Sequence, residues 1–256
     1  MIAPPALTIV LIALAGAAGA ETRCMTPPYV PEGEKGHEIA AMISAIDPLR
    51  EGFPDLFMAF DTVGPEVCLV DGAVEVRGYL DSESGRIVIS ADTERDGRVV
   101  ILLHEMRHLL QRERGYCPSN EVSMEEAARA VLAYEADAMA STTAAAWELH
   151  AMGMPGPWNW LSVEWTRYSD IADAYAKVRT GGDQRVAMEA AFAAWYGSDW
   201  RVHRYWRASS MDYLDREEAG HLLRSYDSLP EDHFANLCTM PDGSAYTCDV
   251  PPPPDR

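Results

Sequence analysis

The stretch VVILLHEMRHLLQR, residues 99–112, is apolar on both sides of the pattern H-E-x-x-H. A helix places positions i and i+4 on one face, so His104 and His108 would aim both imidazoles at one point. Glu105 follows the first histidine and could reach a water bound there. This arrangement is typical of a zinc site with a carboxylate general base. Burying these three side chains without a partner is costly, which favours a metal over an exposed helix with incidental histidines.

A third metal ligand must come from another element, because a catalytic zinc takes three protein ligands and keeps one position open for water. The next helical segment, residues 124–152, contains Glu135 and Asp137 among small apolar residues. Glu135 is the first choice and Asp137 the second, with the other acid placed to hydrogen-bond a ligating histidine. Either acid could instead pair with an arginine such as Arg107 or Arg129. Two acids at the start of the same segment are further alternatives: Glu125 and Glu126.

The first 20 residues, MIAPPALTIVLIALAGAAGA, have the apolar core and the Ala18-Gly19-Ala20 cleavage signal of a secretory signal peptide. This segment is too short for a comfortable membrane span. We therefore expect cleavage after Ala20, no membrane span in the mature chain, and a periplasmic or secreted protein.

The 256-residue chain carries a formal net charge of −19, and 48% of its residues are hydrophobic, as in a globular protein. Such a charge repels nucleic acid and anionic membranes, so we expect no nucleic-acid partner.

Five cysteines in an exported chain are disulfide candidates. Cys238 and Cys248 bracket TMPDGSAYT, in which Pro-Asp-Gly favours a turn, and we expect these two to pair. The odd total leaves at least one cysteine without a partner in the same chain. The remaining three are Cys24, Cys68 and Cys117.

The hydrophobic pattern predicts an α+β fold. Helical spacing covers residues 37–49, whereas short alternating runs within residues 57–91 predict a small antiparallel sheet just before the H-E-x-x-H helix. Asp92, Thr93 or Asp96 could cap that helix. Ser123 with Glu126 three residues later forms a capping box for the following helix.

Three domain-level segments follow the signal peptide. Residues 21–154 form the proposed core, residues 155–249 a tryptophan-rich helical extension packed on it, and residues 250–256 a disordered tail. The extension has helical patterns near residues 160–179, 185–196 and 201–214. Its aromatic residues are interpreted as hydrophobic core rather than as a ligand-binding site.

Two segments, HEMRHLLQ at residues 104–111 and YEADAMA at residues 134–140, resemble the gluzincin branch of the zincin metallopeptidases. They also resemble an uncharacterised bacterial metallopeptidase family that pairs HE-x-RH-x-x-Q with an acidic EADA segment. The resemblance covers about residues 57–140. It implies a short antiparallel sheet over the active-site helix and a second helix that brings the acid.

The same resemblance implies Zn²⁺ bound by His104 and His108, Glu105 as general base, and a peptide or protein substrate. The third histidine of metzincins is absent. Many gluzincins carry the ligand glutamate four residues before an Asp or Asn, but that position before Asp137 is Ala133, which leaves Glu135 and Asp137 both open.

The implied reaction is peptide hydrolysis by a zinc-activated water, with Glu105 moving the proton to the leaving amine. A further donor must stabilise the oxyanion, and the candidates are Tyr134, Tyr168, His150 and His203. A catalytically weak zincin-like metal-binding module is the main alternative. A non-metal hydrolase using Ser209 or Ser210 is weaker, because no nucleophile-elbow motif is present.

Overall fold

The computed structural model describes residues 22–71, 77–81 and 84–254. The predicted signal peptide therefore lies outside the described residues, as do Val74 and Val76 of the predicted sheet. Within the described chain, four short strands form one sheet in the order β1-β2-β4-β3. The strands are β1 Thr22–Met25, β2 Val67–Val70, β3 Gly78–Leu80 and β4 Ile87–Ser90.

Helices make up most of the remaining chain. The helices are α1 Gly33–Ile46, α2 Pro54–Val63, α3 Arg95–Glu113, α4 Met124–Ala151, α5 Gly156–Asn159, α6 Ser169–Arg179, α7 Gln184–Tyr196, α8 Asp199–Gly220 and α9 His233–Leu237. A 3₁₀ turn, Asp47–Leu49, extends α1, and a π turn, Trp160–Glu164, follows α5.

Helix α3 lies at the centre of the molecule, because most residues around its H-E-x-x-H motif are apolar and buried. It packs against β3 and β4 of the sheet, against α1 and α2, and against α4. Helix α4 in turn contacts α7 and α8, so one long helix links the sheet-bearing half to the helical half. The 28 residues of α4 include many alanines, which allow this close packing on several neighbours.

The α+β class and the helical second half are confirmed, but the sheet is mixed rather than wholly antiparallel. Strands β2 and β4 run parallel, whereas β1 pairs antiparallel with β2 and β3 pairs antiparallel with β4. The alternating runs predict strands joined by tight turns, in which each strand pairs antiparallel with the next. The parallel pair arises because β3 lies at the outer edge of the sheet, beyond β4, instead of between β2 and β4.

Two local predictions were wrong and one is confirmed. Residues 54–63 form a helix, because Pro54 opens α2 at its first turn and Gly64 ends it with φ at 58°. The residue before α3 is Glu94, which makes no side-chain cap, so none of the three proposed capping residues holds that position. The capping residue of α4 is Ser123 as predicted, since its hydroxyl accepts a hydrogen bond from the Glu126 amide at 3.3 Å.

Gly78 allows strand β3 to lie directly on α3. A β-carbon at this position would stand 2.4 Å from Ile101 Cγ2 and 2.9 Å from the carbonyl oxygen of Val88. The same β-carbon would be 3.6 Å from a carboxylate oxygen of Glu105. The absence of a side chain at Gly78 therefore sets how closely the edge strand approaches the candidate site.

The described chain contains two disulfides, of which one closes a short loop and the other joins two strands. The predicted pair Cys238–Cys248 is confirmed. Cys24 and Cys68, which the sequence left unassigned, are directly opposed on β1 and β2 and form the second disulfide. Cys117 has no disulfide partner in the described chain, as the odd cysteine count required.

The tryptophans of the helical half are mostly core, as predicted. Trp158, Trp160 and Trp195 are buried. Trp200 differs, because 41% of its surface is exposed.

Candidate metal centre and active site

Helix α3 brings His104 and His108 together one turn apart. Their Nε2 atoms lie 3.1 Å from each other, and their ring planes meet at 88°. Both side chains are largely buried, and His104 Nδ1 has no hydrogen-bond partner in the described part of the chain. The Nε2 atoms are therefore the ring nitrogens that face a shared point.

Helix α4 brings Glu135 to the same point. One carboxylate oxygen lies 3.6 Å from His104 Nε2, and the other lies 3.5 Å from His108 Nε2. A zinc ion about 2.0–2.1 Å from two nitrogens, at the tetrahedral angle, holds them about 3.3 Å apart. The observed separations lie close to that tetrahedral edge, so the three side chains fit a zinc ion.

A second group of potential ligands, Cys24, Glu66 and Cys68, is also close in space. Its two sulfurs form a disulfide and so offer no thiolate to a metal. The group on α3 and α4 is therefore the better metal site among the described residues.

Gln111 determines which ring nitrogen of neutral His108 carries the proton. The Gln111 side-chain nitrogen donates to the Tyr134 carbonyl at 3.0 Å and to Asp137 Oδ2 at 2.7 Å, which turns its oxygen toward His108. His108 Nδ1 lies 2.8 Å from that oxygen and must donate to it. The lone pair of His108 then resides on Nε2, where a metal needs it.

Asp137 is bound by Arg107, Gln111 and Tyr246 rather than by the two histidines. This carboxylate is fully buried and accepts two hydrogen bonds from Arg107, each at 2.8 Å. It also accepts from Gln111 and, at 2.7 Å, from the Tyr246 hydroxyl. Asp137 therefore acts on His108 only through Gln111, and the Arg107 pairing foreseen as an alternative is present.

Glu105 is buried beside the two histidines with only 4% of its surface exposed. Burial raises the pKa of its carboxyl to about 7, while His108 and a backbone hydrogen bond from Leu80 act in the opposite direction. Burial would also raise the pKa of Glu135, but the two histidines and hydrogen bonding from Tyr205 bring it below its ordinary value. Two neighbouring carboxyls thus differ in proton affinity, which suits a base beside a ligand.

The three candidate ligands and Glu105 open into a cleft of about 730 Å³. Its walls are the edge strand β3, helices α3 and α4, the segment 164–168 and the start of α8.

Two tyrosine hydroxyls project into the cleft opposite α3. Tyr168 and Tyr205 lie 3.2 Å apart at their hydroxyl oxygens, and burial raises the pKa of both. Both therefore stay protonated and can donate hydrogen bonds. Tyr168 is one of the oxyanion donors proposed from the sequence, whereas Tyr205 is not, because it lies in α8 with no spacing pattern that ties it to the H-E-x-x-H motif.

The other three proposed oxyanion donors lie away from the metal group or are otherwise engaged. The Tyr134 hydroxyl is 3.0 Å from His233 Nε2. His150 packs against Trp147 and Trp158, and His203 lines a separate cavity beside residues 250–254. The hydroxyls of Ser209 and Ser210 donate to carbonyls of their own helix, so neither is held by a base as a nucleophile requires.

The structure thus brings together His104, Glu105, His108 and Glu135, the residues that the sequence analysis selected. Their roles as ligands and base stay predictions. Comparison with known families gives an independent finding: the model described as "Putative metallopeptidase family (DUF6782)" matches residues 17–248. No curated protein and no solved structure matches the chain.

Proposed function

The chain belongs to the putative metallopeptidase family DUF6782, and on this basis we propose that it is an exported, zinc-dependent peptidase of the gluzincin type. The observation that carries the proposal is the convergence of His104, His108 and Glu135 beside Glu105 in an open cleft. In this proposal the first three residues bind the metal and Glu105 is the general base.

Zinc is preferred over other metals because the donor set is two imidazoles and one carboxylate. Bound there, zinc would lower the pKa of a water molecule and polarise the substrate carbonyl. The tautomer imposed on His108 by Gln111 supports this role, because it leaves Nε2 free of a proton.

Glu105 takes a proton from the attacking water on its carboxylate and later gives that proton to the leaving amine nitrogen. Its burial supports this task, since a carboxyl with a pKa of about 7 can both accept and release a proton near neutral pH. A purely structural metal site has no need for such a group next to the ligands.

The hydroxyls of Tyr168 and Tyr205 stabilise the negative charge that develops on the carbonyl oxygen. Both line the cleft that contains Glu105, and each supports the other through their mutual contact. Tyr205 is the stronger candidate, because its hydroxyl lies close enough to Glu135 to lower the pKa of that carboxyl and is therefore beside the metal group.

Export is proposed from the N-terminal sequence and from the two disulfides, which persist in oxidising compartments. The proposed location is the periplasm or the exterior of the cell. Within the described residues, no helix combines the length and the apolar character that a membrane crossing requires.

The test is metal-dependent proteolysis by the purified mature chain. Elemental analysis should find about one zinc per chain, and a chelator should abolish peptide cleavage until zinc is restored. Glu105→Gln should keep the zinc and the fold while losing at least about 100-fold in turnover. Zinc binding without any peptide cleavage would instead support a non-catalytic metal-binding module. Cleavage that survives in Glu105→Gln would contradict the assigned base.

A further inference from the structure

The cleft carries positive side chains that the proposed chemistry does not use. Arg77, Arg112, Arg167 and Arg204 all line it, although the whole chain has a formal net charge of −19. The lining contains three acids, and two of them, Glu105 and Glu135, belong to the proposed catalytic group. The remaining acid is Glu164. The part of the cleft outside the metal group is therefore positive within an acidic protein.

Arg167 and Arg204 form the most distinct part of this positive surface. Both guanidinium groups lie on the ring of Trp200, at 4.5 Å and 5.7 Å from its centroid. All three side chains are exposed. In the parts of the chain that the structure describes, neither arginine forms an ion pair with an acid. Their hydrogen-bond donors are thus available to a ligand.

The buried residue Arg201 connects the segments that carry Arg167, Trp200 and Arg204. Its side chain is almost completely buried and binds both carboxylate oxygens of Asp170. It also donates to the carbonyl oxygens of Arg167 and Trp195. The segment that carries Arg167 is thereby fixed to the start of α8, which carries Trp200 and Arg204. The backbone that carries the two arginines is consequently held in place before any ligand binds.

Helix α8 brings Arg204 close to the candidate metal ligands. Arg204 directly precedes Tyr205, whose hydroxyl contacts that of Tyr168 and lies beside Glu135. A peptide whose scissile bond lies at Glu105 can therefore extend toward Arg167 and Arg204 within the same cleft.

We propose that Arg167 and Arg204, supported by Trp200, form a subsite that binds a carboxylate of the peptide substrate. The proposal rests on the proposed peptidase function and names its substrate class, which is acidic peptides. Guanidinium groups bind carboxylates through paired, charge-assisted hydrogen bonds. A locally positive cleft also attracts anionic peptides that the rest of this acidic surface repels.

A binding experiment tests the subsite without requiring cleavage. The ligands are acetyl-(Ala-Glu)₃-amide, the neutral acetyl-(Ala-Gln)₃-amide, and acetyl-(Ala-Gln)₃ with a free terminal carboxylate. Calorimetry with the zinc-loaded Glu105→Gln chain should show about tenfold or greater preference for a carboxylate-bearing peptide. Preference for the first ligand identifies side-chain carboxylates as the source, and preference for the third identifies the peptide terminus.

Variants of the two arginines test whether these residues cause the preference for carboxylate-bearing peptides. The double variant Arg167→Gln, Arg204→Gln should lose the preference, and the double lysine variant should keep part of it. Arg224→Gln, an exposed site outside the cleft lining, should keep all of it. Equal affinity for all three peptides, or a preference that survives in the double glutamine variant, overturns the subsite.

Cleavage assays separate this proposal from the peptidase function. A wild-type chain that cleaves acidic and neutral peptides with equal kcat/KM would keep its function and lose the subsite. A chain that binds acidic peptides through these arginines but cleaves no peptide would keep the subsite and lose the function.

Discussion

His108 Nδ1 donates a hydrogen bond to Gln111 Oε1 at 2.8 Å, and Gln111 is itself oriented by Asp137 and by the Tyr134 carbonyl. This chain of contacts gives Gln111 a role that its position three residues after a candidate ligand does not by itself imply. It connects the buried carboxylate of Asp137 to Nδ1 of His108, the ring nitrogen opposite the one that faces Glu135.

Gln111→Ala should weaken zinc binding about 10- to 100-fold, because His108 loses the acceptor that fixes its tautomer and ring orientation. Competition with a chelator measures this affinity. Gln184→Ala removes an amide outside the cleft lining and is the control. Unchanged zinc affinity in Gln111→Ala would show that the contact does not set the ligand geometry.

Glu135→Ala and Asp137→Ala should differ in their effects on zinc affinity and on stability. Loss of Glu135 removes a proposed ligand, so zinc affinity should fall and the Tm should drop only relative to the zinc-loaded parent. Loss of Asp137 leaves the buried Arg107 guanidinium unpaired, which should cost about 3–5 kcal/mol of unfolding free energy with or without zinc.

Thermal and denaturant unfolding, each with and without zinc, distinguish these outcomes. Glu125→Ala, an exposed acid in the first turn of the same helix, is the control. If Glu135→Ala kept full zinc affinity while a stably folded Asp137→Asn lost it, the ligand assignment would have to be exchanged.

Tyr205→Phe should lower kcat by about 100-fold with a much smaller change in zinc content, since it removes a donor to the developing oxyanion. Steady-state kinetics and elemental analysis provide the two readouts. Tyr226→Phe, whose side chain is 82% exposed, is the control. A normal kcat in Tyr205→Phe would transfer the role to Tyr168.

The disulfide Cys238–Cys248 should stabilise the metal site as well as the fold. The loop that it closes carries Thr239, which accepts from Arg107, and Tyr246, which donates to Asp137. Replacing both cysteines with serine should lower the unfolding free energy by about 2–4 kcal/mol and also weaken zinc binding. Cys117→Ser, which breaks no disulfide, is the control. An unchanged Tm in the double variant would contradict this prediction.

Gly78→Ala should destabilise the chain by about 1–3 kcal/mol, because the added methyl group overlaps Ile101 and the Val88 carbonyl. The resulting shift of β3 should also reduce turnover through Glu105. Gly52→Ala is the control, since the nearest atom to its new methyl group is 3.8 Å away. Equal Tm values for the two variants would refute the packing argument.

Part of the candidate site could be predicted from the sequence because helical periodicity makes it local. His104, Glu105 and His108 lie within one helix, and Glu135 lies on the next helix, whose short connection requires the two to pack together. The Cys238–Cys248 pair was predictable for the same reason, since a turn motif lies between two nearby cysteines.

The remaining parts depend on contacts between segments far apart in the chain. Tyr205 lies 70 positions after Glu135, and no local pattern indicates that α8 passes the cleft. The parallel pairing of β2 with β4 likewise depends on β3 joining the outer edge of β4 instead of lying between β2 and β4. Such long-range pairings follow from burial of the whole core and leave little trace in any single segment.

The hydrogen bond from Tyr246 to Asp137 joins residues 109 positions apart. A nascent chain can fold α3 and α4 well before Tyr246 has been synthesised, since early segments fold first during translation. At that stage Asp137 lacks one of its donors, and the loop that supplies it has not been closed by oxidation. The order of synthesis thus delays full assembly of the proposed metal site, so a newborn molecule completes the hydrogen bonds around Asp137 only after the last of these segments has been released and oxidised.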